Sequence, residues 1–469
     1  MSVSKSRQLR TACDRCYELK ARCARVHAAT SCSRCDRLGL VCSNIRPYRP
    51  AGRRITRQSR STSTGLSAKS GSDIDSNARD ISTLLNNHAD LLPDQRELLL
   101  FLLDAPESLD CYVVCPSFQV AEQQSLMEQL PGGLPVLKDA YLACAVALKN
   151  IQLSSKPENG CLRSIQHTSS AMNTLRSLPV SNSQDAALCL TLGVMLALSI
   201  YSTVGLGVAD VCHYCLSTTS PFVASEVPDP ALETRQGFLA LLELMDCLVY
   251  RRRPTLRIQP SNSRGVDRHL GLCSPLLPYY YDLCVVSHSL ANAADKGSLA
   301  TMYNKLDEIQ LSLEEWQPSC LDDQFINRFS TADAVNLLAQ AKVYRLAALL
   351  VAHRLRYAFG EQDAQADIWA SEIMMELNMA QRITKRLICF VTLPFLVAAV
   401  ELRDPSARGK ALYQVEEFVD NVTPVLKKAG RTFLMRIWQE RDSRTTAFWL
   451  DSVHKPCPVL QSLDPACLV

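Results

Sequence analysis

Residues 11–42 read "TACDRCYELKARCARVHAATSCSRCDRLGLVC" and place six cysteines, Cys13, Cys16, Cys23, Cys32, Cys35 and Cys42, within 30 positions. Their spacing is C-x2-C-x6-C-x8-C-x2-C-x6-C, two matching halves joined by a loop. A stretch this short cannot build an apolar core of its own. A three-bridge disulfide framework would suit an exported peptide. The start of the chain, "MSVSKSRQLR", has no apolar run of the kind a secretory signal needs, so reduced thiols are expected. A redox pair needs Cys-x-x-Cys at the start of a helix in a βαβ context, which neither half offers. Zinc remains. Each Cys-x2-Cys lets two thiolates grip one ion from a single turn, and zinc takes four sulfurs in a tetrahedron. Six thiolates satisfy two ions if two of them bridge.

Charge sets this head apart from the rest of the chain. The protein has 469 residues and a formal net charge of +3. Residues 1–60 hold 15 Lys plus Arg against 3 Asp plus Glu, which leaves 35 basic and 44 acidic residues beyond them. A basic head on a mildly acidic body points to a polyanionic partner. Thirteen of the 15 are arginines, whose forks match phosphates and guanine edges better than ammonium groups do.

Four zones follow. Residues 1–10 form a basic tail and residues 11–42 the cysteine module. Residues 43–80 form a linker, first basic ("RPYRPAGRRITRQSR") and then serine-rich ("STSTGLSAKSGSDIDSNARD"), and the second part is expected to be disordered. Residues 81–469 read as a mostly α-helical body of roughly a dozen helices. In "AVNLLAQAKVYRLAALLVAHRLRY" (334–357), Lys342, Arg345, His353 and Arg356 form one polar stripe, with Leu, Ala and Val elsewhere. Trp369, Ile373 and Leu377 recur every four residues, and a helix opening near Pro230 ends at Arg251–Arg253. Residues 186–209 run 24 positions without a charge, long enough to span a membrane. Their serines, threonines and glycines, and the lack of flanking Lys or Arg, favour a buried core helix. "LICFVTLPFLVAAV" (387–400), broken by Pro394, also reads as core. Most of the 14 cysteines beyond Cys42 are expected to be small buried hydrophobes, Cys212 and Cys215 included. Ile81, Leu84, Leu85, His88, Leu91 and Leu92 give at most two heptad-like turns before Pro93, too few for a coiled coil.

The spacing and the halves "ACDRCYELKARC" and "SCSRCDRLGLVC" resemble the DNA-binding module of fungal Zn(II)2Cys6 binuclear-cluster transcription factors. The resemblance implies short helices around two zinc ions per chain, bridged by Cys13 and Cys32. One ion is then held by Cys13, Cys16, Cys23 and Cys32, the other by Cys32, Cys35, Cys42 and Cys13. It also implies that Lys20 enters the major groove to meet guanine acceptors, while Arg22, Arg15 and Arg34 contact phosphates. The basic linker, with Arg53 and Arg54, is expected to track the DNA backbone or to serve as a nuclear import signal, two compatible roles. "FLALLELMDCLVYRRRPTLRI" (238–258) and "DRHLGLCSPLLPYYYDLCVVSHSLA" (267–291) are similar to the family's helical regulatory region. What the resemblance implies as a whole is a nuclear regulator of RNA polymerase II transcription, of the secondary-metabolite gene-cluster type. Its partners are then double-stranded DNA with guanine-rich, CGG-type half-sites and the transcription machinery. Because the heptad-like run before Pro93 is so short, any homodimer is expected to pair through the helical body, and no membrane partner is expected.

A second reading is a zinc-stabilised interaction scaffold or co-regulator with weak DNA binding. Tyr17 and Glu18, where the family commonly places basic residues, motivate it; Lys20, Arg22 and the basic linker oppose it. An enzyme is not expected, since no phosphate loop, nucleophile elbow or metalloprotease helix occurs.

Overall fold

The computed structural model describes residues 13, 16, 23, 31–39, 42 and 85, and residues 91–447 apart from 105, 111, 154–157, 204–206, 224–229, 260–264, 293–295, 320–322 and 421–423. The basic tail, the linker 43–80, and Ile81, Leu84 and His88 lie outside them. The chain divides into two compact units, Met1–Lys69 and Ser70–Val469. In the first, the described helix is α1 (Ser33–Arg37).

The described part of the second unit is all-α, with fifteen α-helices, three short 3-10 turns and no strand beyond one isolated bridge between Asp267 and Gly271. Its first half holds α2 (Pro93–Asp104), α3 (Gln119–Glu128), α4 (Leu130–Leu153), α5 (Glu158–Ser177), α6 (Ser183–Thr203), α7 (Val208–Val223) and α8 (Pro230–Tyr250). The second half holds α9 (Leu277–Ala291), α10 (Lys296–Glu315), α11 (Asp323–Arg328), α12 (Thr331–Arg356) and α13 (Asp363–Thr384). It closes with α14 (Thr392–Glu401), α15 (Pro405–Phe418) and α16 (Pro424–Asp442). Local signals set these boundaries. Ser330 caps α12 by accepting the Asp333 N–H at 3.1 Å, and Asp404 caps α15 by accepting the Ala407 N–H at 2.8 Å with Pro405 at the first helical position. Pro394 falls in the first turn of α14, where its missing N–H has no helical partner to lose.

Two apolar cores result. One is built on α2 to α8, the other on α8 to α16, and α8 serves both: Phe238, Leu239 and Leu242 face the first, Leu241, Leu244 and Leu248 the second. Leu85 and Leu91, from the short heptad-like run, belong to the first core, so they pack within the chain rather than forming a coil. Helix α6 is buried from Cys189 to Ser202 without interruption. It is long and apolar enough to cross a membrane, but 83% of its most apolar 18-residue window is buried in the body. Thr191 and Ser202 return their hydroxyls to carbonyls four residues back, both at 2.8 Å, and so need no water. At Gly193 an added Cβ would lie 2.4 Å from Cys215 Sγ; the bare backbone is what lets α7 approach. Cys212 and Cys215 are fully buried, as are most of the body's described cysteines.

The polar stripe expected on α12 needs one correction. Lys342, Arg345 and Arg356 are half-buried at the edge of the helix, but His353 is buried and so is its neighbour Arg354, only 1% exposed. Arg354 survives there because its donors are matched: Nε and Nη2 bond Glu401 at 3.0 and 2.7 Å, Nη2 also bonds Asp363 at 2.7 Å, and Nη1 bonds the carbonyls of Ala358 and Glu361. Residues 251–271 join the halves. Arg251, at φ 53°, donates to the Ser287 carbonyl at 2.9 Å, the Thr255 N–H bonds Glu243 at 3.0 Å, and Arg257 pairs with Asp282 at 2.9 Å. Asp267 then accepts the N–H groups of His269 and Leu270, both at 2.8 Å, to close a tight turn at Gly271. The Arg-Pro segment noted in the sequence therefore ties α8 to α9.

Candidate metal centre

Each half of the cysteine module directs backbone N–H groups at its own sulfurs. In the second half Cys32 stands at the N-cap of α1, and its Sγ accepts the Cys35 N–H at 3.4 Å in the place a Ser or Asp oxygen would take. In the first half Cys13 Sγ accepts the Cys16 N–H, also at 3.4 Å. The third cysteine of each half is used alike: Cys23 Sγ accepts the Cys13 N–H at 3.4 Å, and Cys42 Sγ the Cys32 N–H at 3.3 Å. The repeat read in the spacing is thus a repeat in space.

These bonds gather the sulfurs. The Sγ atoms of Cys13, Cys16, Cys32 and Cys35, all buried, lie within 4.8 Å of one another. The short separations are Cys13–Cys32 at 3.8 Å, Cys13–Cys35 at 3.7 Å and Cys16–Cys32 at 3.7 Å. A disulfide needs about 2.05 Å, and all six cysteines are free. Four sulfurs each about 2.3 Å from one zinc ion form a tetrahedron with edges of about 3.8 Å. The observed spacings therefore fit zinc–thiolate coordination. Every one of the three includes Cys13 or Cys32, and each of these two reaches across to a sulfur of the other half.

The electrostatics follow the same division. The N–H of Cys16 holds the Cys13 thiol down to about 6, and the N–H of Cys35 holds Cys32 down to about 7. Burial pushes Cys16 up to about 12; Cys35 is pushed up as well, first by its hydrogen bond to Cys32 and then by burial. The N–H groups thus favour the thiolate form of Cys13 and Cys32, and a bound zinc ion would draw the protons from the rest.

Helix α1 has Arg34 and Arg37 in its last turn and ends at Leu38 and Gly39, the latter at φ 60°. Arg34, expected on phosphate, is half-buried in α1, between Cys32 and Cys35 in the sequence. Lys20, Arg22, Arg15, Arg53 and Arg54, with Tyr17 and Glu18, lie outside the described residues. In the body, the Arg354–Glu401–Asp363 cluster and the ties made by residues 251–271 were not singled out from sequence. A buried arginine looks like an exposed one until its carboxylates, 47 and 9 residues away, are placed beside it.

The fungal specific transcription factor domain matches this chain over residues 140–457, from α4 to beyond α16. No curated protein and no solved structure matches it. The match spans more than half of the sequence and takes in the helical body from within α4 onward, so the chain belongs to the fungal specific transcription factor family and is a transcription regulator.

Proposed function

We propose that this regulator is a nuclear, sequence-specific DNA-binding protein of the RNA polymerase II system, whose first unit folds around two zinc ions. The observation that carries this reading is the repeated N–H to sulfur pattern with Sγ separations of 3.7–3.8 Å in a buried thiol group. Cys13 and Cys32 bridge; Cys16 and Cys23 complete one ion's set, Cys35 and Cys42 the other's. Bound zinc supplies the fold of a module too small for an apolar core. With two divalent ions and six thiolates the cluster is net negative, so the flanking arginines are what make its surface attractive to DNA. The organisation is a basic tail (1–10), a DNA-binding module (11–42), a linker (43–80) and a helical regulatory body (81–469). On the resemblance, its sites are CGG-type half-sites and its targets a fungal gene set of the secondary-metabolite kind. Family membership supports regulation rather than catalysis.

One module reading one triplet touches few base pairs, too few for the roughly 4–10 kcal/mol that separates specific from non-specific binding. The functional form is therefore a homodimer paired through the helical body. Metal analysis of the purified full chain should find about two zinc equivalents in addition to any bound elsewhere, lost together when Cys13 or Cys32 is replaced; one equivalent sinks the cluster. On DNA, Lys20→Ala should cost about 1–3 kcal/mol on the preferred site and flatten discrimination. Arg53→Ala should weaken all duplexes alike and lower the salt slope by about one. Zinc binding without DNA binding would leave the scaffold reading, which Tyr17 and Glu18 favour.

A further inference from the structure

Helix α13 buries Ala366, Trp369, Ala370, Ile373, Leu377 and Ala380 in the second core. Its other face carries Ile368, Met375, Met379 and Ile383, exposed by 57, 57, 45 and 61%. At 100° per residue these four fall within about 80° of one another, on a face that Glu372 shares between Ile368 and Met375. Other exposed apolar side chains of the body, such as Leu311 and Tyr413, stand singly on their helices; here four share one face. Such a stripe marks a surface that meets something.

Charge on its flanks says what. The N-terminal end offers Asp367 and the C-terminal end the exposed Arg382 and Lys385, while Asp363 is already held by Arg354 and Arg403, both at 2.7 Å, and Arg386 by Asp333 at 3.0 Å. Asp367 keeps 47% of its side chain exposed and reaches Arg403 only at 3.3 Å. Glu372, on the face itself, and Glu376, at its edge opposite Asp367, are both held by Lys342 at 2.9 Å. The face is therefore apolar but for one carboxylate that Lys342 neutralises, and oppositely charged at its ends, which makes it complementary to itself when reversed.

We infer that α13 is the dimer contact, lying antiparallel on α13 of a second copy about a two-fold axis near Met375. The inference rests on the two-half-site reading above and gives it a surface. In this arrangement Ile368 meets Ile383 of the second copy, and Asp367 meets its Arg382 and Lys385 on the same flank. A parallel pairing would set acid against acid and base against base.

Sedimentation velocity of the full chain at micromolar concentration tests it. Wild type should be a dimer. Arg382→Glu and Asp367→Arg should each weaken dimerisation at least about tenfold through like-charge contacts, and the two changes together should restore it. Residues 367 and 382 are about 22 Å apart along one helix, so restoration cannot arise inside a single chain. A monomeric wild type, unchanged dimers of both single variants, or a double variant no better than the singles each overturns the inference; the first would leave the stripe to another segment of this chain or to a different protein. Binding to a duplex with one triplet should be the same for Arg382→Glu and wild type, while a two-triplet duplex loses affinity. Absence of DNA binding in wild type would sink the functional reading yet leave the sedimentation result standing.

Discussion

Among the described residues of the first unit, the buried side chains are four sulfurs: Cys13, Cys16, Cys32 and Cys35. In the second unit burial is spread over two apolar cores that share α8, with Leu, Val, Ala and aromatic rings from fifteen helices. One region closes a small volume with a few directional donors whose spacing is set by an ion; the other closes a large one with many non-directional contacts. They should fail in different ways. Loss of one ligand is decisive in the module, whereas the body absorbs the loss of any one methyl group and is hurt chiefly where a charge or a backbone conformation has been committed.

The largest difference should appear on removing zinc. Structural zinc is worth about 10–16 kcal/mol of folding free energy in small modules, so a strong chelator should abolish DNA binding by the full chain. The helical body owes nothing to that ion, and its thermal transition, followed by far-ultraviolet circular dichroism, should keep its midpoint. A chelator-induced fall in that midpoint would break the comparison by showing metal in the body.

Within the body the sharpest site is Arg354. Glu401→Ala removes its bidentate partner and leaves a guanidinium that is 1% exposed with Asp363 as its remaining carboxylate. Breaking a buried pair from one side costs about 3–5 kcal/mol, read as a lower urea midpoint. Replacing both partners by Leu should cost less than the single change, because no charge is then stranded. If the double variant is the worse of the two, the cluster stabilises by itself rather than by mutual compensation.

Gly271→Ala should come next. Its φ of 60° disfavours a side chain, and the new Cβ would lie 2.5 Å from Gln340 Oε1 and 2.9 Å from Leu337 Cδ2. Overpacking of this kind costs about 1–3 kcal/mol, and the loss should show in the melt of the body with zinc content unchanged. A neutral outcome would mean that the Asp267 turn can shift away from α12.

How far these features were legible follows from what makes them. The cysteine spacing carries its own geometry, because two ligands three residues apart must share a turn. The helical character of the body was equally open, since Trp369, Ile373 and Leu377 repeat at the helical period and all three are buried. What stayed hidden depends on pairs distant in sequence. His353 sits near the end of a stripe that periodicity alone assigns to solvent, while Arg354 lies off that stripe, and only the arrival of α14, bearing Glu401, makes its inner position tolerable. The run 251–258 was noticed for its Arg-Pro pattern, but its role depends on Glu243, Asp282 and Ser287, which its own residues do not reveal.

The smallest effect concerns Asp246, near the C-terminal end of α8, which shows that a charge can be held in the body at a loss. Burial raises its carboxyl from 3.8 to about 6, an effect tempered by Arg252 at 3.4 Å and reinforced by Asp210 and Glu243. With the folded pKa above the unfolded one, the native state binds more protons between those values. The penalty this one group imposes on stability is therefore absent below about pH 4, grows as pH rises toward 6, and stays in force above it. Asp246→Asn abolishes this slope. Its side chain remains 24% exposed and Arg252 loses a partner, so the gain at pH 7 should be modest, about 1 kcal/mol. Urea melts of both proteins at pH 4.5 and pH 7 decide the sign: the variant should be ahead at pH 7 and lose most of its lead at pH 4.5. A variant less stable at pH 7 would mean that the Arg252 contact outweighs burial, and that even this exposed end of α8 is held by its ion pair.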